Sequence, residues 1–405
     1  MNTITQSPAQ KMPEVSQVQT VSPSTNWRRM FGLRERGVYY ALLLLITVLT
    51  LLTTYLGQAN YLSVLNLSNV VYQSSLMAIM AVAMTVVLIS GNFDLSVASV
   101  AALAAVVLIG NADAIGFIPA AALAMAVAMA IGLINGSIVQ FLGINAFIVT
   151  LGTMTAVRGL VLIYTDGRSL SASDPNVIAT MKAFEGGRHD GFWLILAGGV
   201  VLLALGIIGL IKAVSSKAPV RPSSIGMTIG GIGFLLLAWA SGGELTLRNP
   251  VIYLAIFTTI VWFTLSFTMV GRRLYAVGGN SEAARLSGIN VLLYKLMAFV
   301  FCSGTAGFAG ILFASRLRSI NPAGLSGAEL TVIAAAILGG TSLFGGAGSV
   351  IKTLAGALLL FSLTNGFNML NLGANWQGLI EGIVVVVAAA IYTVGGNKSK
   401  SKTGG

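Results

Sequence analysis

Apolar runs about as long as a bilayer is thick recur along the whole chain, and charge is confined largely to the gaps between them. A helix needs about 20 mainly apolar residues to cross a hydrocarbon core, and a charge at its centre costs roughly 2.5–3.5 kcal/mol on insertion scales. Runs of this kind fall near residues 39–57, 72–90, 95–112, 117–141, 144–165, 192–213, 224–243, 250–270, 295–315, 327–342, 350–372 and 376–395. The pattern predicts an all-α polytopic membrane protein with about twelve hydrophobic segments, about 10–12 of them true spans. With 56% hydrophobic and 9% charged residues, the chain cannot close around one water-soluble core. The run 327–342 is short and ends in glycine, so it reads either as a span or as a half-helix that does not cross.

The excess of 23 Lys and Arg over 12 Asp and Glu is spread between apolar runs and forms no basic stripe, which argues for topology rather than nucleic-acid binding. Residues 1–38 are rich in Ser, Thr, Gln and Pro and end in Arg28, Arg29, Arg34 and Arg36, the composition of a disordered cytosolic tail. The run that follows is long enough to span and no small-residue cleavage site is evident after it, unlike a cleaved signal peptide. The expected organisation is a transmembrane domain over 39–396, with a cytosolic loop at 271–294 and a cytosolic tail at 397–405. Alternation from a cytosolic amino end places the basic stretches "IKAVSSKAPVRPSS", "RRLYAVGGNSEAARLSGINV" and "NKSKSK" inside. It places 166–191, with three Asp and one Glu, outside. Cys302 is the only cysteine, which excludes an intrachain disulfide and a Cys-rich metal site; no cofactor is expected.

Small residues allow helix backbones to approach in lipid, and both "GLING" at 132–136 and "GMTIG" at 226–230 have the required spacing. Two interruptions, "ISGNFDLSVASV" at 89–100 and "LGGTSLFGGAGSV" at 338–350, contain no Lys or Arg and read as compact turns packed within the protein. An offset of 250 residues aligns Ser99–Val100 with Ser349–Val350, the basis for a hypothetical pseudo-repeat. In the first break Asp94 can accept from orphan N–H groups of the next helix, or it can stand with Ser96 on a pathway wall. The second break lacks the Gly-Lys-Ser/Thr of a phosphate loop.

The densest cluster of charge and glycine lies at 272–291. Arg272 and Arg273 mark the membrane boundary, Gly278 and Gly279 end one element, and Asn280 can cap a short helix over 281–287 that Gly288 ends, with Ile289 folding back. Glu282 and Arg285 stand three apart on one face of that helix. Such a glycine-bounded helix is either a solvated loop or a rigid projection fitted to a partner.

"GRRLYAVGGNSEAARLSGINV", "DLSV" at 94–97, "AELTVIAAAILGGTSLFGGAGSV" and "NGFNML" together resemble the permease subunits of ABC importers for ribose, xylose and related monosaccharides. The resemblance runs over most of the chain after residue 60, and the segment pair 192–213 and 224–243 is more similar to xylose-type than to ribose-type permeases. Members of that family usually have glycine at the positions of Asn92 and Ala98 and aspartate at that of Thr331. The resemblance implies a second permease copy, a cytosolic ATP-binding subunit, a periplasmic sugar-binding protein and a place among the lipids of the bacterial inner membrane. It makes 271–294 the ATPase-coupling element, with Arg272, Arg273, Gly278, Gly279, Asn280, Glu282, Arg285 and Gly288 as its residues.

An ion-coupled carrier or channel is the rival class, but such proteins tend to keep acids, histidines or paired charges inside their spans. Here His189 lies in the outer loop, and Arg158 and Glu381 either pair or sit near helix ends. No nucleophile–base arrangement or metal-ligand cluster suggests an enzyme. Asn365, Asn368 and Gln377, near Trp376, are the amides available to a sugar pathway, or alternatively serve as glue between helices.

Overall fold

The computed structural model describes residues 33–216, 220, 222–243 and 245–372, with 379, 382, 383 and 386 beyond them. Gln377, Trp376 and Glu381 lie outside the described residues, as do the tails and most of the run 376–395.

The helices follow the apolar runs. α1 (Leu33–Tyr55) and α2 (Val64–Ile89) are followed by the first break, then by α3 (Val97–Ile115) and α4 (Phe117–Phe141), which meet at Gly116. Gly116 has φ +85°, a conformation open to glycine, and it turns the chain without an intervening loop. α5 (Ala146–Thr165) precedes a small irregular layer. This layer contains β1 (Leu170–Ser171), α6 (Pro175–Gly186) and β2 (Arg188–Asp190). A hairpin of α7 (Phe192–Ser215) and α8 (Pro222–Ala240) leads through β3 (Thr246–Arg248) into α9 (Asn249–Phe267). Then come α10 (Met269–Gly279), α11 (Ser281–Leu286), α12 (Val291–Leu317), β4 (Ser319–Ile320), α13 (Ala328–Leu338) and α14 (Val350–Met369). The paired strands, β1 with β4 and β2 with β3, are antiparallel and close one end of the bundle.

Among the described residues nine helices are long and apolar enough to cross a membrane. α13 is not one of them: its 11 residues reach about 17 Å at 1.5 Å each, against about 30 Å of hydrocarbon. Of the two readings of 327–342, the half-helix therefore fits. The apolar part of α8, Ser224–Ala240, is also shorter than the usual span.

The core is built from α2, α3, α12 and α14, where apolar side chains and small residues alternate. Most of the membrane-length window of α2, 72%, is buried inside the protein, whereas only 11% of that of α7 is. Glycines set the closest approaches. A methyl group on Gly132 would stand 2.7 Å from the Phe299 carbonyl oxygen and one on Gly136 2.9 Å from the Leu296 side chain, so the backbone of α4 packs against both backbone and side chains of α12. Buried hydroxyls of Thr85 and Thr353, 2.7 Å apart, tie α2 to α14. The helix after each break starts at an equivalent Ser-Val pair. Ser96 precedes Val97 of α3 and Ser349 precedes Val350 of α14, an offset of 253 rather than 250. The sequence repeats Ser-Val twice within "SVASV", and only the helix start distinguishes the two registers.

Candidate functional site

The stretch expected to be a loop at 271–294 is mostly helical. α10 carries Arg272 and Arg273, both exposed, and α11 carries Glu282 and Arg285. The side chain of Asn280 accepts from the Ala283 N–H at 2.9 Å and caps α11. Gly288, at φ +79°, ends it, and the Ile289 N–H returns to the Ala284 carbonyl at 3.0 Å. Arg285 Nη2 stands 2.7 Å from Glu282 Oε1 on the exposed face. Hydrogen bonding from Arg285, then its charge, holds the Glu282 carboxyl below its ordinary range. The pair points into solvent, where an ion pair of this kind contributes little to stability.

This arm does not stand apart from the rest. Its glycines meet both breaks in a seam of backbone against backbone. The Gly346 N–H donates to the Ile89 carbonyl at 2.9 Å, joining the second break to the end of α2. Gly278 fills the space beside that carbonyl: a methyl group there would overlap the Ile89 oxygen and stand 2.8 Å from the Gly346 nitrogen. A methyl on Gly345 would lie 2.6 Å from the Gly278 oxygen and 2.8 Å from the Gly91 Cα; one on Gly346 would lie 2.5 Å from the Gly279 Cα. Gly345 and Gly346 also have φ of +85° and +69°, so both the conformation and the space call for glycine there, while at Gly91, φ +81°, the conformation alone does. The Tyr275 hydroxyl donates to the Gly348 carbonyl at 2.9 Å, and Val82, Ile89, Val261, Leu265, Leu274 and Val350 form an apolar cluster alongside.

Asp94 is fully buried beside this seam. Its Oδ1 accepts from the Ser96 N–H at 2.9 Å and the Ser96 hydroxyl at 2.5 Å. Asn135 of α4 donates to Ser96 Oγ at 3.0 Å and accepts from Thr153 of α5 at 2.6 Å, so one polar chain links the break to two further helices. The buried Ser303 hydroxyl of α12 also interacts with the Asp94 carboxylate. Asn92, in the same break, is buried and donates to Ser90 Oγ at 3.0 Å.

The opposite end is braced by charge. Glu185 of α6, buried, accepts from the Tyr72 hydroxyl at 2.6 Å and from Arg316 at 2.7 Å. Arg316 and Arg248 each lie 4.2 Å from the centre of the Tyr72 ring. His189 is exposed and bonded to Asn249 at 2.7 Å. Arg158 lies 3.6 Å from Glu329, at the start of the half-helix α13. Arg158 thus has an ion-pair partner in the half-helix, while Glu381, the other half of the pairing considered from the sequence, lies outside the described residues. Between α2, α13 and α14 lies a cavity of about 350 Å³ lined by Met77, Gly324, Ser326, Thr331, Phe361 and Thr364, which mixes polar and apolar walls. Asn365 does not line it. Its amide is paired reciprocally with that of Asn66 at 3.0 and 3.1 Å, joining α14 to α2. Asn368 is exposed one turn further on.

Of the candidate residues, the structure thus brings Gly278 and Gly279 to the breaks and links Asp94 with Ser96, while Asn365 and Asn368 stand away from them. Sequence reasoning missed Asn135, Thr153 and Ser303; an amide inside an apolar run was the signal for Asn135, whereas Thr153 and Ser303 stand among other hydroxyls of their helices and carried none. Among the described residues no group of three or more His, Cys, Asp or Glu could hold a metal ion.

A helical bundle of this length with small-residue packing, interrupted helices and a polar-walled cavity is the architecture of a membrane transport component. The family described as the permease component of the branched-chain amino acid transport system matches residues 66–389, and the chain belongs to that family. It is a multi-pass membrane permease rather than an enzyme. It is similar to the ribose import permease protein of Escherichia coli (strain K12), with 34% identity over 377 residues, 92% of this chain and 98% of the relative. It is also similar to the xylose transport system permease protein of Haemophilus influenzae, with 32% identity over 386 residues, 92% of this chain and all of the relative. The xylose transport system permease protein of Escherichia coli (strain K12) is 32% identical over 370 residues, 86% of this chain and 90% of the relative. No solved structure matches the chain.

Proposed function

We propose that this chain is the membrane-spanning subunit of an ATP-driven importer in the bacterial inner membrane, and that it forms the path for a pentose or related monosaccharide. Xylose is the favoured sugar on the sequence, although relatives of both names share about one residue in three with this chain. The importer would work as a dimer of permeases with a cytosolic ATP-hydrolysing subunit and a periplasmic binding protein. One observation carries the reading: a capped, glycine-bounded helix follows directly on Gly278 and Gly279 of α10, which are packed backbone to backbone against both interruptions of the bundle. A displacement applied to α10–α11 would reach the breaks without passing through flexible chain, as a coupling element requires.

In this reading the 350 Å³ cavity is the outward part of the path. Its volume suits a monosaccharide, and Thr331, Thr364 and Ser326 supply hydroxyls among apolar walls. Asp94 and its polar chain lie at the other end, beside the coupling seam. A largely apolar groove of about 520 Å³ between α4, α9 and α12 suits lipid chains. The test is co-expression of the full-length chain with candidate ATP-binding subunits from the same genome, followed by a sugar screen for stimulated hydrolysis in the presence of the binding protein. A copurifying ATPase stimulated by a pentose is the expected result. Uptake that persists without any ATPase but collapses with the ion gradient would replace this reading with a secondary carrier.

A further inference from the structure

The second break carries a feature that neither the coupling arm nor the pathway accounts for. At its tip Phe344 is 93% exposed and its neighbour Leu343 is 38% exposed. The tip is a defined turn: the Ser342 N–H donates to the Ala347 carbonyl at 2.9 Å, and the Phe344 N–H to Ser342 Oγ at 3.2 Å. The next two residues, Gly345 and Gly346, are those pressed against Gly278 and Gly279, and α11 starts just beyond the latter at Ser281. The ring of Phe344 and the exposed face of α11 are therefore held in a fixed relation by main-chain contacts, with no flexible side chain between them. On α11, Leu286 is 78% exposed beside the Glu282–Arg285 pair.

We propose that Phe344 is the apolar anchor of a two-part docking surface for the cytosolic ATP-hydrolysing subunit, with α11 as the other part. The proposal rests on the importer reading above. An aromatic ring with a rim of charge is the composition expected at the centre of a protein interface, because the ring gains most from being covered and the charges exclude wrong partners. The surface calls for an apolar socket facing Phe344 and Leu286, with groups that match Glu282 and Arg285 at its edge. A lipid surface fits less well. The tip itself, Gly339 to Ile351, contains no Lys or Arg to meet anionic headgroups, and α11 presents an ion pair. Lys352 follows the break and Arg272 and Arg273 are exposed further back on α10, so quenching by brominated lipid is the measurement that separates a protein socket from headgroups. Contact with both parts would let the ATPase grip the arm and the second break together, so that closing the nucleotide sites would move them as one body.

The test uses the full-length permease with its ATPase subunit, in lipid nanodiscs, and compares Phe344→Ala, Phe344→Leu and Arg285→Glu. Affinity for the ATPase and sugar-stimulated hydrolysis are both read. Phe344→Ala should weaken ATPase binding by about tenfold or more, the usual scale for truncating an aromatic anchor, while Phe344→Leu keeps most of it. Membrane levels of all three should match the parent. A Phe344→Trp variant should show a blue shift of its difference fluorescence on addition of the ATPase and no quenching by brominated lipids. If Phe344→Ala binds as the parent does while Arg285→Glu does not, the anchor is wrong and the importer reading stands. If both bind as the parent does, the docking surface lies elsewhere and the proposal is overturned while the importer reading stands; if no ATPase binds the parent, the importer reading itself fails. Quenching of the Phe344→Trp difference signal by brominated lipid would assign the ring to the bilayer and overturn the proposal.

Discussion

Gly132–Gly136 and Gly226–Gly230 have the same spacing and lie on apolar helices of similar character, yet they do different things. On α4, both glycines are pressed against α12, where an added methyl would collide with Phe299, Ser303 or Leu296. On α8, the corresponding faces of Gly226 and Gly230 meet nothing within 4 Å. α8 does use glycine for packing, but on another face: Gly231 sits on the backbone of Leu203 in α7, and Gly206 and Gly209 of α7 receive Thr228 and Ser224. The hairpin α7–α8 is thus a tight unit with itself and is loosely attached to the rest. A small-residue motif permits close approach but does not choose a partner, since that choice depends on which helix the fold brings alongside.

The seam extends the contrast to glycines with no helical spacing at all, and there the largest effect is expected. Gly278→Ala drives a methyl group onto the Ile89 carbonyl, where backbone rather than a yielding side chain must move. Its cost should equal or exceed the roughly 1–3 kcal/mol of ordinary overpacking. Sugar uptake should be abolished, with a lowered melting temperature of the purified protein; wild-type uptake would show that the seam is not tight.

Gly132→Ala comes next, at about 1–3 kcal/mol, because Ser303 can rotate but the Phe299 carbonyl cannot. Thermal unfolding in detergent would register it. Asp94 does not cap α3, whose N-cap is Ser96, but Asp94→Ala removes the acceptor for the buried Ser96 N–H and hydroxyl and should cost about 1–3 kcal/mol, whereas Asp94→Asn keeps an oxygen at Oδ1 and should retain most of the stability. If transport falls equally in both while stability falls only in the first, the charge serves the pathway; equal wild-type uptake in both would remove Asp94 from either role. The smallest effect is expected for Gly230→Ala, which replaces a poor helix former by a good one in open space and should be neutral or stabilising by up to about 1 kcal/mol. A loss as large as that of Gly132→Ala would mean that this face of α8 is covered in the assembled importer, and the comparison with α4 would dissolve.

A topological check sharpens the distinction between the two ends of the bundle. In a Cys302→Ala background, a cysteine at Ser281 should react from the cytosolic side and one at Ser173 from the periplasmic side, as the charge asymmetry requires. Labelling at Ser281 from outside sealed cells would invert the assignment of the arm.

Several features follow from local chemistry and were legible in the chain. Apolar run length fixed where the long helices lie, because an unpaired backbone in lipid leaves few alternatives to a helix. Asn280 and Gly288 fixed the bounds of α11 to within a residue, since a cap needs a side-chain acceptor and a left-handed ending favours glycine. The pattern "SVASV" did not fix the register of the pseudo-repeat, because two Ser-Val pairs three residues apart are equally good helix starts.

Tertiary structure alone decided which distant residues share a site. Gly91, Gly278 and Gly345 are separated by 187 and 67 positions, yet they pack Cα to carbonyl in one seam. No local rule connects them, because a glycine's conformational freedom is visible in sequence but the neighbour it admits is not. Asn365 illustrates the converse: its amide reads equally well as a sugar contact or as glue, and the Asn66 partner it finds across the α2–α14 interface is visible only in the structure. The apolar pattern determined that the chain would be a bundle of membrane helices, because the cost of exposing backbone to lipid acts residue by residue. The packing of that bundle decided which breaks, glycines and polar side chains would meet, because van der Waals contact falls off within ångströms and depends on the whole arrangement.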